Sequence, residues 1–448
     1  MDSTGKEKSD LKNKSTGDKE ELTTPKVVVD FSESEFDKKI KSGRNKVEGE
    51  LALGEKLSII NLIDGIIEHA YAIRASDIHL DPGPDEISVR LRIDGILQDV
   101  HTIPKSIHSE VTTRIKILAG LRTDEHQAAQ DGRFTITVED GSAIDMRVSI
   151  IPTYYGENIV LRLLVDQAEE YSLEALGFSK DNAKKILQAV KRPYGMILAT
   201  GPTGSGKTTT LYTILKQINR RDVSIVTIED PIEYAIPGIE QIQVNPRTGL
   251  TFANGLRSIL RQDPNVIMVG EIRDSETAGI AVNTALTGHL VLSTLHTNDA
   301  ATTLPRLLDM KIEPYLIAST VNIAIGQRLV RKICVHCKKQ FHMSQVERDS
   351  FKNSLKDVSP GFFSDDMPMY KGTGCEKCNH TGYFGRMGIH EVLFPDGAIR
   401  DAVLSKAPAS EIRRLAIKQG MITILEDGLT KVKAGLTTPE EILRMFYE

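Results

Sequence analysis

From residue 57 onward the chain keeps switching between two hydrophobic periods, and before it there is almost none. Residues 1 to 25 are nearly all Lys, Ser, Thr, Asp, Glu and Gly without periodic apolar positions. Such a segment cannot bury enough surface to offset its ordering entropy, so it is expected to be disordered. Residues 27–31 (VVVDF) read as a strand or a docking peptide, and the pattern does not choose. Leu57, Ile60, Leu62, Ile63, Ile66, Ile67 and Ala70 then recur at helical spacing. Strand-like alternation follows at 76–80 and 87–93, the second ending on an Asp94-Gly95 turn. A helix is expected over about 107–121, then strands at 133–138, 144–150 and 159–164. Residues 57–165 thus read as a small α+β domain, 1–56 as a largely disordered segment before it, and the polar stretch 166–172 as a linker.

Beyond residue 173 strands and helices alternate as in an α/β nucleotide-binding core with a largely parallel sheet. The apolar run 194–200 reads as a buried strand and 209–215 as the start of a helix. Between them stand Gly201, Pro202, Thr203, Gly204, Ser205, Gly206, Lys207 and Thr208, which match G-x-x-x-x-G-K-[ST]. In that context backbone N–H groups and the positive end of a helix dipole converge on phosphates. Lys207 reaches the β- and γ-phosphates, the Thr208 hydroxyl ligates Mg²⁺, and Thr209 completes the phosphate-binding turn.

Two strands end on acids, the edge at which ligands bind such sheets. Strand 266–270 delivers Glu271 as a carboxylate that orients water or holds the Mg²⁺ shell. Strand 223–228 is followed by Glu229, Asp230 and Glu233, one of which shares that work. Spacing does not choose among the three; Glu229 is kept as the candidate, with an aspartate capping a helix before Pro231 as the structural alternative. His289 and His296 bracket an apolar strand and could hydrogen-bond phosphate oxygens, with the stronger case for His296.

All four cysteines fall in two C-x-x-C pairs, Cys334/Cys337 and Cys375/Cys378, a tetrathiolate zinc pattern; His336 and His380 read as bystanders. Four thiolates leave no open coordination position, so the zinc would be structural. The division expected is 173–330 for the ATP-binding core, 331–387 for the zinc-binding part and 388–448 for a helical C-terminal subdomain. There Ile412, Leu415 and Ala416 share a face, Gly435 marks a turn, and Pro439 sits in the first turn of a last helix.

Composition narrows the function classes. With 26% charged and 40% hydrophobic residues the chain has the profile of a globular protein of two to four domains. A net charge of −5 and 5% aromatic residues supply no basic groove or stacking platform, which argues against a nucleic-acid translocase or helicase. No apolar run approaches a membrane span and the N-terminus lacks an apolar leader, so a cytoplasmic address is expected, with any membrane role exerted through partners.

Together these elements resemble the type II secretion and type IV pilus assembly ATPase family, the secretion-superfamily ATPases GspE and PilB. The resemblance spans about residues 57–448 and rests on five motifs in family order. They are the Walker A loop at 201–208, an aspartate box at 227–233, a Walker B segment at 270–274, a histidine box at 289–297 and the tetracysteine pair. Connecting text at 249–252, 256–264 and 327–331 is also family-like. The resemblance implies a PAS-like N-terminal domain over a RecA-like domain, ATP in the cleft between them, and a hexameric ring. It assigns Arg133, Arg147 and Arg386 as arginines that reach the γ-phosphate. Glu271, Glu229, Lys207 and His296 complete the catalytic candidates. It implies Mg²⁺-dependent ATP hydrolysis that drives assembly of a type IV pilus or a type II secretion pseudopilus, through an inner-membrane platform protein at the cytoplasmic face. A pilus-retraction or DNA-uptake motor is the alternative within the family, and a non-catalytic scaffold conflicts with the intact Lys207, Thr208 and Glu271. Two departures stand out. Residues 125–129 (EHQAA) replace more basic, proline-containing text, and only 56 mostly polar residues precede the core. No cyclic di-GMP control through an added N-terminal domain is therefore expected.

Overall fold

The computed structural model describes residues 33–164, 172–355 and 367–447. The first sheet is antiparallel and holds β1 (Asp77–Pro82), β2 (Glu86–Ile93), β3 (Ile96–Pro104), β4 (Gln130–Thr137), β5 (Ala143–Thr153) and β6 (Gly156–Leu164), in the order β3-β2-β1-β6-β5-β4. Alternate residues such as Ile87, Val89 and Leu91 of β2 and Ile144, Met146 and Val148 of β5 point to one buried face. There they meet Leu62, Ile63, Ile66 and Ile67 of α2 (Ile59–Ala72) and Val111 and Ile115 of α3 (His108–Leu118). Strand β3 was not anticipated, although its turn was. Asp94 and Gly95 both have positive φ, the backbone a two-residue hairpin needs. The partner strand was hidden because Gln98, Asp99 and Thr102 interrupt its apolar alternation.

Residues 33–52 correct the expectation of a largely disordered segment through residue 56: they form helix α1 (Glu33–Ala52), laid along α2. Ile40, Gly43, Val47 and Leu51 recur at helical spacing, a narrow stripe easily lost among charged residues. Val47 is fully buried, and the helices cross through glycine: a Cβ on Gly43 would stand 2.7 Å from His69 Cα. Residues 1–32, with the strand-or-peptide segment 27–31, and the linker expected at 166–172, save its last residue, lie outside the described residues.

The second sheet holds seven strands in the order β15-β12-β7-β11-β10-β8-β9. They are β7 (Gly195–Thr200), β8 (Ile225–Glu229), β9 (Glu240–Gln243), β10 (Val266–Val269), β11 (Leu290–Leu295), β12 (Val321–Ile333) and β15 (Tyr383–Leu393), the last antiparallel to β12 and the rest parallel. Parallel strands covered on both faces need continuous apolar runs, and β7, β8, β10 and β11 are buried at every position. On one face Ile186 of α4 (Lys180–Val190) and Leu211, Ile214 and Leu215 of α5 (Lys207–Ile218) pack on Ile197 and Leu292. On the other, α6 (Phe252–Ile259), α7 (Ser275–Leu286), α8 (Thr303–Asp309) and α9 (Pro314–Thr320) pack on Leu198, Val269 and Val291. The result is an α/β fold with a mixed sheet.

Strand β12 runs past the sheet toward a small hairpin of β13 (Lys338–Phe341) and β14 (Met369–Gly372), joined through α10 (Gln345–Ser354). Strand β15 then returns through the boundary expected at residue 388, so residues 388–393 are core sheet and not the start of a helical region. Helices α11 (Gly397–Leu404), α12 (Ala409–Lys418), α13 (Ile424–Lys433) and α14 (Pro439–Tyr447) follow, with Ile412 and Ala416 buried as their spacing predicts. Among the described residues no helix is long and apolar enough to cross a membrane.

The α1–α2–β3 packing buries a histidine pair with a pH consequence. His69 Nδ1 and His101 Nε2 lie 2.9 Å apart, one donating and one accepting, beside Arg44 and Glu48 of α1. Burial, then His101 and Arg44, push the His69 pKa down to about 4, against an opposing pull from Glu48. The folded value lies below the unfolded 6.5, so this contribution to stability is complete above pH 6.5 and is lost as pH falls toward 4. The span corresponds to about 3 kcal/mol. Urea unfolding between pH 7 and 4.5 should show a smaller pH dependence in His69→Gln than in the native chain; equal slopes would exclude His69 as the source.

Candidate functional site

Because β7, β8, β10 and β11 are parallel, their C-terminal ends deliver their loops to one edge of the sheet. Strand β7 ends at Thr200, and α5 begins at Lys207 after a turn in which Gly201, Gly204 and Gly206 have φ of +143°, +76° and +86°. Side chains are excluded there: a Cβ on Gly201 would stand 2.4 Å from the Gln327 carbonyl oxygen. The Ser205 hydroxyl is buried with no protein partner. Lys207 donates to the carbonyls of Gly201 and Pro202 at 2.8 and 2.9 Å, so its ammonium lies under the loop. Burial pushes its pKa down while Glu271 pulls it up. Thr208 and Thr209 follow in the first turn of α5. Left-handed glycines, a lysine and a helix N-terminus are the parts from which a phosphate-accepting nest can be built.

Glu271 follows β10, its side chain 11% exposed. One carboxylate oxygen lies 2.5 Å from the Arg273 guanidinium and the other 3.3 Å from His296 Nε2. Glu271 and His296, predicted separately for water and for phosphate, are thus brought together. Asp274, the residue after Arg273, caps α7 through the Thr277 N–H at 2.8 Å. Glu229 is placed differently. It is 2% exposed and accepts from Tyr212, from Thr227 at 2.5 Å and from Gln241 at 3.2 Å, so its carboxylate braces β8 against α5 and β9. No helix starts at Asp230-Pro231, a cis peptide, which removes the capping alternative.

His289 is at the wrong end for phosphate. It precedes β11, its carbonyl accepts the Gly195 N–H at the entry of β7, and its ring meets the Thr284 carbonyl. Seven residues of extended chain, about 23 Å, separate it from His296. Of the three arginines, Arg147 donates to the Ile232 carbonyl at 3.0 Å and lies 4.0 Å from Glu233, so it touches the acidic segment. Arg133, directly across from it on β4, pairs with Asp145, and Arg386 lies 3.9 Å from Asp94.

Two site residues escaped the sequence reading. The Thr200 hydroxyl accepts the Thr297 N–H at 3.1 Å and faces the Leu295 and Thr297 carbonyls, fastening the histidine loop to the phosphate loop. Gln327 on β12 donates to the Ser205 carbonyl at 2.6 Å and accepts from Thr210 at 2.8 Å, backing the loop from behind. Thr200 carried a signal, a polar residue at the end of an otherwise apolar strand, whereas Gln327 stands in the middle of β12 among other polar residues and carried none.

The cysteine pairs converge. Sγ–Sγ distances are 3.8 Å for Cys334–Cys375, 3.8 Å for Cys337–Cys378 and 3.6 Å for Cys375–Cys378, and all four lie within 4.8 Å of one another. Four sulfurs at ~2.3 Å from a tetrahedral ion are separated by about 3.8 Å, so the donor set could hold zinc. Burial pushes the Cys334 thiol up to about 12. Burial acts likewise on Cys378, but the N–H groups of Cys375 and Gly382, 3.2 and 3.3 Å from its sulfur, hold it below the ordinary value. Among the described residues neither His336 nor His380 joins this group.

Residues 53–444 match the family model described as type II/IV secretion system protein. Type II secretion system protein E of Xanthomonas campestris is 45% identical over 404 residues, 90% of this chain and 70% of its own length. Type II secretion system ATPase E of Vibrio cholerae is 45% identical over 390 residues, 87% of this chain and 76% of its own. The type IV pilus assembly ATPase PilB of Thermus thermophilus is 45% identical over 404 residues, 90% of this chain and 44% of its own. Among solved structures, the ATPase DotB of Legionella pneumophila shares the fold at a TM-score of 0.62 and 22% identity, covering 86% of this chain and 95% of that one. The pilus retraction motor PilT with bound ADP matches at a TM-score of 0.58 and 28% identity, covering 86% and 96%.

Gln327→Ala should leave the Ser205 carbonyl and the Thr210 hydroxyl without their buried partner and destabilise the chain by about 1–3 kcal/mol. Urea unfolding measures this, and an unchanged midpoint would show that the loop does not depend on β12.

Proposed function

The chain belongs to the type II/IV secretion system protein family and is an ATPase of that family, and from this we propose that it is a Mg²⁺-dependent motor for type IV pilus or type II secretion pseudopilus assembly. The observation that carries the reading is the meeting of a lysine-bearing phosphate loop with the Glu271–His296 pair on one edge of a parallel sheet. Bound MgATP supplies the phosphoanhydride bond that is broken. The loop N–H groups and Lys207 hold its negative charge, and the Thr208 hydroxyl is the protein ligand for the metal. Glu271 accepts a hydrogen bond from the attacking water and orients it toward the γ-phosphate. His296, against the other carboxylate oxygen, keeps Glu271 turned toward the nucleotide. Glu229 braces the strand beside it. Arg133, Arg147 and Arg386 are the charges recruited to the γ-phosphate when the N-terminal part closes on the core, or when a neighbouring copy supplies them.

The working assembly in this reading is a homohexamer, with residues 57–165 as the domain that moves over 173–330. Its partners are an inner-membrane platform protein and the pilus or secretion assembly proteins, which hold it at the cytoplasmic face. The secretion ATPase of V. cholerae and the pilus ATPase of T. thermophilus are equally similar at 45% identity, so the proposal names the machine class they share. The four thiols hold a structural zinc that fastens residues 334–337 to 375–378, the near-tetrahedral sulfur spacing being its support.

Glu271→Gln should bind MgATP like the native chain and release phosphate about 10²–10³-fold more slowly, measured by nucleotide titration beside steady-state phosphate release. Near-normal turnover would reject the assignment. The purified chain should carry one zinc. Cys375→Ser should lose it and expose the hairpin of β13 and β14 to hydrogen exchange; metal-free native protein of unchanged stability would reject the structural role.

A further inference from the structure

One buried carboxylate has no place in the chemistry above. Glu391, in the second half of β15, is 2% exposed, and each of its oxygens is aimed at the backbone of a different element. Oε1 accepts the Ala300 N–H at 2.6 Å, from the loop that follows His296. Oε2 accepts the Ile424 N–H at 3.3 Å, the first residue of α13. Burial raises this carboxyl's pKa, and the two N–H groups oppose that by favouring the ionised form.

The sheet prepares this position. Leu295 on β11, Thr200 on β7, Gly326 on β12 and Glu391 on β15 are successive partners in a single row across the strands. Position 326 must be glycine for the carboxylate to cross the row: a Cβ there would stand 2.9 Å from Glu391 Cγ and 3.0 Å from the Ala300 nitrogen. Two side chains of the row hold the histidine loop, Thr200 at Thr297 and Glu391 at Ala300. The loop is therefore clamped at Thr297 and Ala300, one and four residues after His296. Strand β15 also grips α13 a second time, because the His390 N–H donates to Asp427 at 2.7 Å, in the first turn of that helix. An exposed ion pair, Asp299 with Arg413 at 3.7 Å, runs alongside as a weaker link to α12.

We propose that Glu391 is a positioning residue that couples the His296–Ala300 loop to α13, so that the nucleotide state sensed at Glu271 and His296 is passed to the C-terminal helices. The carboxylate suits this because it can accept two N–H groups at once, one from each element. An apolar side chain could fill the space without linking them, and an amide could serve only one of the two donors. Movement of the histidine loop therefore strains the Ala300 contact, and the strain is relieved by moving β15 or the first turn of α13. The inference rests on the ATPase reading of the phosphate-loop site.

The test uses the full-length chain and the variant Glu391→Gln. In the native chain, hydrogen exchange in residues 424–433 should differ between ADP and a non-hydrolysable ATP analogue. In Glu391→Gln that difference should vanish while binding of the analogue persists. Its kcat should fall on the order of 10²-fold with KM for ATP unchanged. Ile424→Pro is the second variant: it deletes one N–H at a helix position where proline is well tolerated, and it should also abolish the nucleotide-dependent difference in α13. The proposal is overturned if α13 in the native chain does not respond to nucleotide, or if both variants keep the native kcat and the native exchange difference. It is equally overturned if Glu391→Gln loses activity only in proportion to the fraction unfolded. Absence of phosphate release by the native chain, with Glu271→Gln no different, would instead reject the ATPase reading.

Discussion

The site depends on a strand and a helix joined by a turn whose glycines bring backbone close to backbone. Strand β7 must end, turn and start α5 within six residues, while the carbonyl of Gln327 lies where a Cβ of Gly201 would go. Glycine at 201 is thus required twice, by backbone conformation and by the close approach of β12, and glycine at 206 by its positive φ. Once β7 is fixed, its parallel neighbours β11 and β12 are fixed in register with it, and β10 and β8 follow. The acids and the histidine that emerge beside the phosphate loop do so because parallel strands have no other edge on which to place their C-termini.

Central strands buried at every position make the polar residues buried beside them informative. Thr200, Glu229, Gln327 and Glu391 are each 2% exposed or less, and each is satisfied by a group from another element. Unsatisfied, any of them would cost more than an apolar residue in its place. Their common property is that they join segments which must keep register at the C-terminal edge. Two carboxylates on neighbouring strands consequently differ in character. Glu229 is surrounded by donors that absorb its charge, and with burial as the larger cause it helps push the Tyr212 phenol far above its ordinary pKa. Glu271 faces the open side with one oxygen toward an exposed guanidinium and one toward an imidazole. Environment, not sequence spacing, separates the brace from the acid proposed to orient water.

The legible parts of the sequence were those in which one period or one motif carries the whole constraint. The phosphate loop, the fully apolar strands, the cysteine pairs and helix α2 are of this kind. Helix α1 was missed because a helix crossing through Gly43 buries little side chain, so only Val47 and its spaced neighbours mark the face. Strand β15 was missed at 388–393 because strands buried on both faces show no alternation, and His390 and Glu391 look like surface residues until Asp427 and Ala300 are beside them. His289 and His296 bracket β11, and the surrounding motifs favour His296 without giving a geometric reason. The direction of the strand relative to β7 supplies it, placing one beside Glu271 and the other beside Gly195.

The arginines raise a last question of geometry, which their partners answer. Arg133 and Arg147 face each other across β4 and β5, and Arg386 follows Gly385 near the start of β15; the Gly385 N–H donates to Asp94 of the β2–β3 hairpin at 2.8 Å. The two sheets therefore touch at two separated places, Arg147 on the acidic segment after β8 and Asp94 on the start of β15, through polar contacts at both. A polar seam of this kind holds an orientation without locking it, unlike an apolar one. Exposed pairs such as Arg133–Asp145 are worth little in water, so the guanidinium can leave its local acid for a stronger anion at small cost. On the motor reading, Arg147 and Arg386, which hold the N-terminal part against the core at rest, and Arg133, paired within its own sheet, are the ones a triphosphate would draw inward. The exchange of one acidic partner for another is then what turns nucleotide binding into movement.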